Sequence, residues 1–441
     1  MKIVKRRSWI ALILAFALLF GMGVYVRRYA VDGGRWVQIA ANENLYENGC
    51  LLAGTVTDRH GTVLADITDG ERSYADDALT RISCLHTVGD AAGNIGSGAL
   101  KVMSERLSGY NPVTGVTTGG GEVTLSIDAQ LCAVAYTALA GRKGAVLLAD
   151  YTTGEILCMV SSPSYDPTLG FDEADPWYSS VYINRAIGAA YAPGSVFKLV
   201  TLAAAIETMD DLYTRTFSCA GSTLVGGSTV QCTGSHGSQT IEQALANSCN
   251  CAFAEISLAL GGETLKKYAD KLGFTGPLSL NGITTAAGNF DAAAAGSPDL
   301  AWSGIGQSTD LVSPYAMLRY VSAVAAGGTF TEPTVLHGEP GGKTKLLTAD
   351  TAQAIKAMMH YNVVNSYGEW NFPGLALCAK SGTAEVGDGT SHAWFTGFLD
   401  DAAHPYAFVV VIEHGGGGLR NAGEVANTLL QAAIEKDNAT E

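Results

Sequence analysis

The sequence predicts an α+β fold: an antiparallel sheet packed with helices, beside a separate helical subdomain. Three observations carry that expectation. Helical patterns cluster in the middle of the chain, and strand patterns lie on either side of them. Ahead of the cluster, the apolar runs 144–150 and 155–162 flank a turn ending at Gly154, which reads as a hairpin. Behind it, residues 375–386 begin apolar and then alternate, as a strand with one half-exposed face does. Strands and helices segregated in this way pack as layers, with a cleft expected where the helical part meets the sheet.

From the amino terminus, residues 9–26 form an uncharged run of 18. As a helix it would be about 27 Å long, enough for the hydrocarbon core of a bilayer. Lys2, Lys5, Arg6 and Arg7 precede the run, and only Arg27 and Arg28 follow it closely. A single-pass anchor with residues 1–8 in the cytoplasm and the remainder outside the cell membrane is therefore expected. The competing reading is a cleaved signal peptide. Its apolar region would be unusually long, and Arg27-Arg28 stands where a small-residue cleavage site belongs. The chain holds 27 basic and 42 acidic residues in 441, a formal charge of −15. The first 28 residues hold six basic and no acidic side chains, so the rest carries −21. Such a surface is unsuited to nucleic acid, whose binding rests on cationic side chains, and is read as an aid to solubility.

Four hundred residues beyond the anchor imply two domains or more. The Gly-rich stretch 117–121 is the expected hinge. It divides a small domain over 27–121 from a larger one over 122–441. Within the small domain, Gly61 between two apolar runs marks a β-turn. Residues 282–298, rich in Ala and Gly, read as a surface loop.

The larger domain carries three chemically suggestive motifs. In the first, Pro193-Gly194 reads as a tight turn opening a helix that contains Ser195-Val196-Phe197-Lys198 and continues to Ile206. Residues three apart share a helix face, so Lys198 can lie beside the Ser195 hydroxyl. A serine hydroxyl needs an adjacent base at neutral pH, and a lysine is a base only when neutral. Burial and a second cation would both lower its pKa, and Lys380 is the natural second cation. Taken alone, Ser195 and Lys198 would be a helix cap followed by a solvated lysine. In the second motif, Thr240-Ile241-Glu242-Gln243 has the form of a capping box. It predicts a helix to about Asn247, then a turn bearing Ser248-Cys249-Asn250, then an apolar helix to Leu260. In the third, Lys380-Ser381-Gly382 lies on the predicted strand 375–386, where Gly382 allows close backbone approach.

These motifs in this order, with Asn184-Arg185 and Tyr191-Ala192-Pro193-Gly194 ahead of the serine, resemble the class B penicillin-binding proteins of the serine penicillin-recognising superfamily. The resemblance runs from about Leu125 to the end. It includes the hairpin 144–162, the stretches 302–308 and 312–317, the strands 393–398 and 405–412, and a closing helix 423–436. Upstream, Asp58-Arg59-His60-Gly61 is similar to a D-R-N-G element of the family, with His60 for Asn, and Ala53 where an Arg is usual. The resemblance implies the penicillin-binding transpeptidase fold: a five-stranded antiparallel sheet flanked by helices, with an all-helical subdomain. A transmembrane helix and a small β-rich pedestal would precede it. It implies a peptidoglycan D,D-transpeptidase acting in cell-wall synthesis, cell shape or cell division, and blocked by β-lactams. Ser195 would be the nucleophile, Lys198 its base and Ser248 a proton shuttle. Asn250, Lys380, Ser381, Gly382 and Thr383 would bind the stem peptide, and the Ser195 and Thr383 N–H groups would form the oxyanion hole. No cofactor is implied, and a glycan polymerase is the partner expected by analogy. No segment resembles a glycosyltransferase. A D,D-carboxypeptidase, a β-lactamase, or a non-catalytic β-lactam sensor or scaffold are the alternatives.

Nine cysteines are present: Cys50, Cys84, Cys132, Cys158, Cys219, Cys232, Cys249, Cys251 and Cys378. Cys219 and Cys232 flank a Gly/Ser-rich loop and are the best candidate disulfide of an exported domain, while Cys132, Cys158 and Cys378 sit in apolar runs and read as buried thiols. No C-x-x-C occurs, and Cys249-Asn250-Cys251 has no partners at ordinary zinc spacing, so no metal is expected. His236 has no Asp nearby in sequence and reads as a loop residue.

Overall fold

The computed structural model describes residues 2–36, 46–47, 50–51, 54–68, 71–111, 116–117 and 120–440. Ala53, and Thr118-Gly119 of the expected hinge, lie outside the described residues. The first element is the helix Lys2–Trp36. Within it, Arg6–Val31 is long and apolar enough to cross a membrane. Its side chains from Trp9 to Val26, and that of Val31, are exposed.

A four-stranded sheet follows, in the order Glu71–Tyr74, Val63–Thr68, Thr55–Thr57, Glu122–Thr124, the last pair parallel. The turn between its middle strands is the expected one. Gly61 takes φ +82, and the Asp58 carboxylate accepts the backbone N–H groups of His60 and Thr62 at 2.9 and 2.8 Å. The same carboxylate accepts the N–H of Ala129 at 3.2 Å, and His60 Nε2 meets Asp128 at 3.0 Å. The turn thereby clips this sheet to the start of the helix Ala129–Leu139. Arg81 adds a second clip, a two-pronged ion pair to Asp166 at 2.9 and 2.6 Å.

The central sheet has five antiparallel strands in the order Ile156–Ser162, Gly144–Asp150, Tyr406–Ile412, Ser391–Leu399, Leu377–Glu385. Its middle strands are runs of Val, Leu, Ile and Phe buried on both faces. Such strands need helices over each face. Ala129–Leu139, Pro314–Ala325 and Gly423–Thr440 supply them. Pro314–Ala325 is apolar nearly all round, and residues 314–324 are all buried, as a helix between two layers must be. The helical subdomain includes Lys198–Thr208, Ile241–Ala246, Asn250–Leu260 and Gly262–Lys271. Its capping box forms as expected: Gln243 N donates to Thr240 Oγ1 and Thr240 N to Gln243 Oε1.

Two local expectations change. Ser195 sits in a 3₁₀ turn, Gly194–Val196, and the α-helix starts only at Lys198. Gly194 is left-handed at φ +54 with its N–H on the Gly306 carbonyl, which sets the turn apart from the helix. Asn250 is already the first helical residue, leaving Ser248, at φ +48, and the extended Cys249 to form the corner.

Candidate active site

Two walls meet at Ser195. The helical wall is built around Lys198, whose side chain is fully buried beneath the serine. Its Nζ lies 3.0 Å from Ser195 Oγ, 3.2 Å from Ser248 Oγ, 2.6 Å from the Ser248 carbonyl and 2.8 Å from Asn250 Oδ1. Four oxygens surround a nitrogen that has three N–H groups at most. The carbonyl and the amide oxygen can only accept, so a neutral amine satisfies the cluster best: it donates to those two and keeps its lone pair for a serine hydroxyl. The three-residue spacing of Ser195 and Lys198 survives the change from α to 3₁₀ geometry, because in either helix type residues three apart are stacked.

The strand wall is Leu377–Glu385, the edge of the central sheet. Lys380 points inward and is fully buried, with Nζ 3.0 Å from Ser248 Oγ and 2.9 Å from the Ser381 carbonyl. Ser248 Oγ therefore bridges the two lysines. On the open side of the strand, Ser381 N donates to Tyr367 Oη at 2.7 Å, and Tyr367 Oη contacts Ser381 Oγ at 2.9 Å. In an antiparallel ladder alternate residues turn their N–H groups the same way, so the Thr383 N–H also faces away from the neighbouring strand, toward the cleft. Close approach of the walls depends on glycine. A Cβ on Gly194 would stand 2.7 Å from the Thr383 carbonyl, and one on Gly382 would stand 2.7 Å from the Pro193 carbonyl.

The electrostatics follow from burial. Burial first, then the charge of Lys380, pushes the Lys198 pKa well below its usual value; the nearby thiols of Cys232, Cys249 and Cys251 act in the opposite direction. Burial alone lowers Lys380 to about 7. Burial and the neighbouring ammonium both favour the neutral form of Lys198, which is the form a base beside a carboxylate-gripping cation requires.

The structure brings Ser195, Lys198, Ser248, Asn250, Lys380, Ser381, Gly382 and Thr383 to one cleft of about 690 Å³, lined also by Gln231, Thr233, Trp302 and Gln307. Behind the serine turn, Arg185 Nε and Tyr191 Oη both reach Glu413 Oε1 at 2.8 Å. Sequence reasoning missed Tyr367 and Asn362, which supports the strand through the Ala379 carbonyl at 2.8 Å. They lie at the end of the helix Ala349–Asn362 and in the π-helical turn after it, which no spacing rule marks. The expected Cys219–Cys232 disulfide does not form. Both are free thiols, Cys219 Sγ lying 3.5 Å from Cys251 Sγ and Cys232 Sγ 3.9 Å from Cys249 Sγ, and a disulfide needs about 2.05 Å. Cys132, Cys158 and Cys378 are buried thiols as expected.

A hydroxyl on a buried amine, set between an antiparallel sheet and a helical subdomain, is an arrangement suited to serine acyl transfer. The family described as the penicillin binding protein transpeptidase domain matches residues 144–431, and the chain belongs to it. Peptidoglycan D,D-transpeptidase PbpA of Mycolicibacterium smegmatis is 26% identical, over 95% of each chain. Stage V sporulation protein D of Bacillus subtilis is 32% identical over 63% of this chain and 46% of its own. The crystal structure of the D,D-transpeptidase domain of a peptidoglycan glycosyltransferase from Eggerthella lenta superposes with a TM-score of 0.74 at 29% identity. It covers 87% of this chain and 98% of that one.

Proposed function

We propose that this protein is a peptidoglycan D,D-transpeptidase that cross-links stem peptides through a serine acyl-enzyme and is acylated by β-lactams. The observation that carries the reading is the unbroken file of contacts Ser195 Oγ, Lys198 Nζ, Ser248 Oγ, Lys380 Nζ at 3.0, 3.2 and 3.0 Å. The name of the M. smegmatis relative supports the substrate class. Lys380, with the Ser381 and Thr383 hydroxyls, grips the terminal carboxylate, and Asn250 bonds the peptide backbone. Ser195 Oγ attacks the carbonyl of the penultimate D-Ala as its proton passes to Lys198 Nζ. The N–H groups of Ser195 and Thr383 hold the oxyanion. The C–N bond then breaks, and the D-Ala amine leaves with a proton relayed through Ser248. An amine of a neighbouring stem peptide attacks the ester, its proton returns along the same file, and Ser195 is released with the new amide formed. A β-lactam has no separate leaving group to depart, so its ester persists.

The apolar helix anchors the protein in the cell membrane, with the catalytic side outside; the greater basic charge before the helix than after it supports that orientation. In this arrangement residues 27–121 form a pedestal below the catalytic domain 122–441, and a glycan polymerase would meet the anchor and pedestal. Labelling with fluorescent penicillin tests the nucleophile: wild type takes a covalent label and Ser195→Ala does not. Label kept by the variant would overturn the assignment. Incubation with lipid-linked substrate separates transpeptidation, which gives cross-linked dimer, from carboxypeptidation, which gives only trimmed monomer.

A further inference from the structure

Beside the cleft, and unused by the acyl-transfer chemistry, four side chains point at one another. Cys219 closes the strand Phe217–Cys219, Cys232 and His236 lie on the loop after the strand Ser228–Gln231, and Cys249 caps the helix Asn250–Leu260. Their sulfurs and a ring nitrogen of His236 all lie within 4.8 Å of one another. We propose that Cys219, Cys232, Cys249 and His236 bind one zinc ion, and that this ion fastens the loop wall of the cleft to the turn carrying Ser248 and Asn250.

Bond lengths of about 2.3 Å for Zn–S and about 2.0 Å for Zn–N put the edges of a tetrahedron at about 3.8 Å between sulfurs and about 3.5 Å from sulfur to nitrogen. The Cys232–Cys249 sulfur edge is 3.9 Å, and Cys232 Sγ to His236 Nδ1 is 3.6 Å. These two edges thus have the lengths a shared metal sets, and the remaining ones, to Cys219 and from Cys249 to His236, are within 4.8 Å. Thiolate ligands keep backbone N–H donors around them, and Asn250 N donates to Cys232 Sγ at 3.2 Å. The frame is held by backbone bonds, Cys232 N to the Gly221 carbonyl at 2.9 Å and His236 N to the Cys219 carbonyl at 3.1 Å. Cys219 and Cys249 are buried while Cys232 and His236 are half-buried, which leaves a way in for the ion. Cys251, 3.5 Å from Cys219, stands outside the set of four. Binding exchanges thiol protons for the metal and needs no oxidant. Sequence spacing hides the site. The pair Cys232 and His236 is local, but the other two ligands come from segments on either side of it.

The consequence for the cleft runs through Asn250. Its N–H is on Cys232, its Nδ2 donates to the Gln231 carbonyl at 2.8 Å, and its Oδ1 accepts from Lys198 at 2.8 Å. An ion holding Cys232 and Cys249 fixes the residues on both sides of that hub.

The test is metal analysis of the full chain in detergent, purified under reducing conditions without chelator, and it is read without any substrate. About one zinc per chain that survives dialysis is expected, falling at least about tenfold in Cys232→Ser and in His236→Ala and retained in Cys251→Ser. Cobalt(II) added to stripped wild type should give the visible spectrum of a tetrahedral thiolate site. Because a ligand variant can fail to fold, wild type is also stripped with chelator: its Tm should fall, and zinc but not magnesium should restore it. Stripped protein should also take penicillin label more slowly, by about tenfold. Wild type without zinc and with reduced thiols would overturn the proposal. So would zinc retained by both ligand variants, or disulfides Cys219–Cys251 and Cys232–Cys249 in the native protein.

Discussion

The two walls of the cleft each bury a lysine completely, yet they are built on opposite plans. Around Lys198 the helical wall is closed: the serine turn and the corner at residues 248–250 converge on one nitrogen, and its contacts are to side chains and a carbonyl that already exist in the free protein. The strand wall is open. Lys380 has one hydroxyl and one carbonyl as partners, and its strand is hydrogen-bonded to a neighbour on one side only. A base needs dense desolvation to stay neutral, and the closed wall provides it. A carboxylate binder needs unfilled donors, and the open wall provides those. The bridging Ser248 hydroxyl is where the two plans meet.

The largest effects should follow from breaking the closed wall. Ser195→Ala should abolish the penicillin acyl-enzyme altogether, with thermal stability nearly unchanged because the side chain becomes smaller by one oxygen at a half-buried site. Lys198→Ala should lower the second-order rate of acylation by about 10²- to 10⁴-fold, the range for a general base. Lys198→Arg should fare no better, since a guanidinium stays protonated and cannot accept the serine proton. Acylation followed by mass spectrometry checks both. A Lys198→Ala protein within threefold of wild type would assign the base elsewhere.

Next in size is the pH response, which separates the walls. Lys198 must be neutral and Lys380 charged, and burial lowers Lys380 to about 7. Above that pH the carboxylate grip weakens, so kcat/KM for a β-lactam carboxylate should fall by up to about tenfold per pH unit. Stability should move the other way. The folded pKa lies below the unfolded one, so between about pH 7 and 10.5 the unfolded chain binds the extra proton, and stability rises with pH across that window. The full penalty of the buried ammonium, on the order of 5 kcal/mol, is present below pH 7. Lys380→Met should accordingly raise Tm at neutral pH while losing acylation. A Lys380→Met protein less stable than wild type at pH 7 would show that the ammonium is better solvated than its burial implies.

The closed wall was the more legible of the two in the sequence. Ser195 and Lys198 are three apart on one helical run, and Ser248 and Asn250 follow a capping box, so local periodicity places all four. The hairpin 144–162 and the strand around Lys380 were legible for the same reason, an apolar pattern with a turn residue between. What pattern could not give was how elements distant along the chain meet. The cysteine cluster joins residues 219 to 249 through a loop whose path no spacing dictates, so the local expectation paired Cys219 with Cys232, found no partners for Cys249 and Cys251, and read His236 as a loop residue. The 3₁₀ turn at Ser195 depends on Gly306, more than a hundred residues away. The support of the open wall comes from a π-helical turn, which has no sequence signature of its own.

That support gives the smallest and sharpest test. Tyr367 is buried, and burial raises its pKa, so its hydroxyl stays protonated. It takes the place of a missing strand: the hydroxyl accepts the Ser381 N–H and reaches Ser381 Oγ. Tyr367→Phe removes the acceptor and leaves that N–H unpaired, which should cost about 1–3 kcal/mol of stability. The strand should then sample more positions, so the apparent affinity for a carboxylate-bearing β-lactam should weaken severalfold while the maximal acylation rate is nearly kept, because the helical wall is untouched. Measuring the saturation curve of acylation beside a denaturation curve resolves the two. A fall in maximal rate with unchanged affinity would mean that the edge strand helps set the serine as well as the carboxylate, and that the division of labour between the walls is less complete than their hydrogen bonds imply.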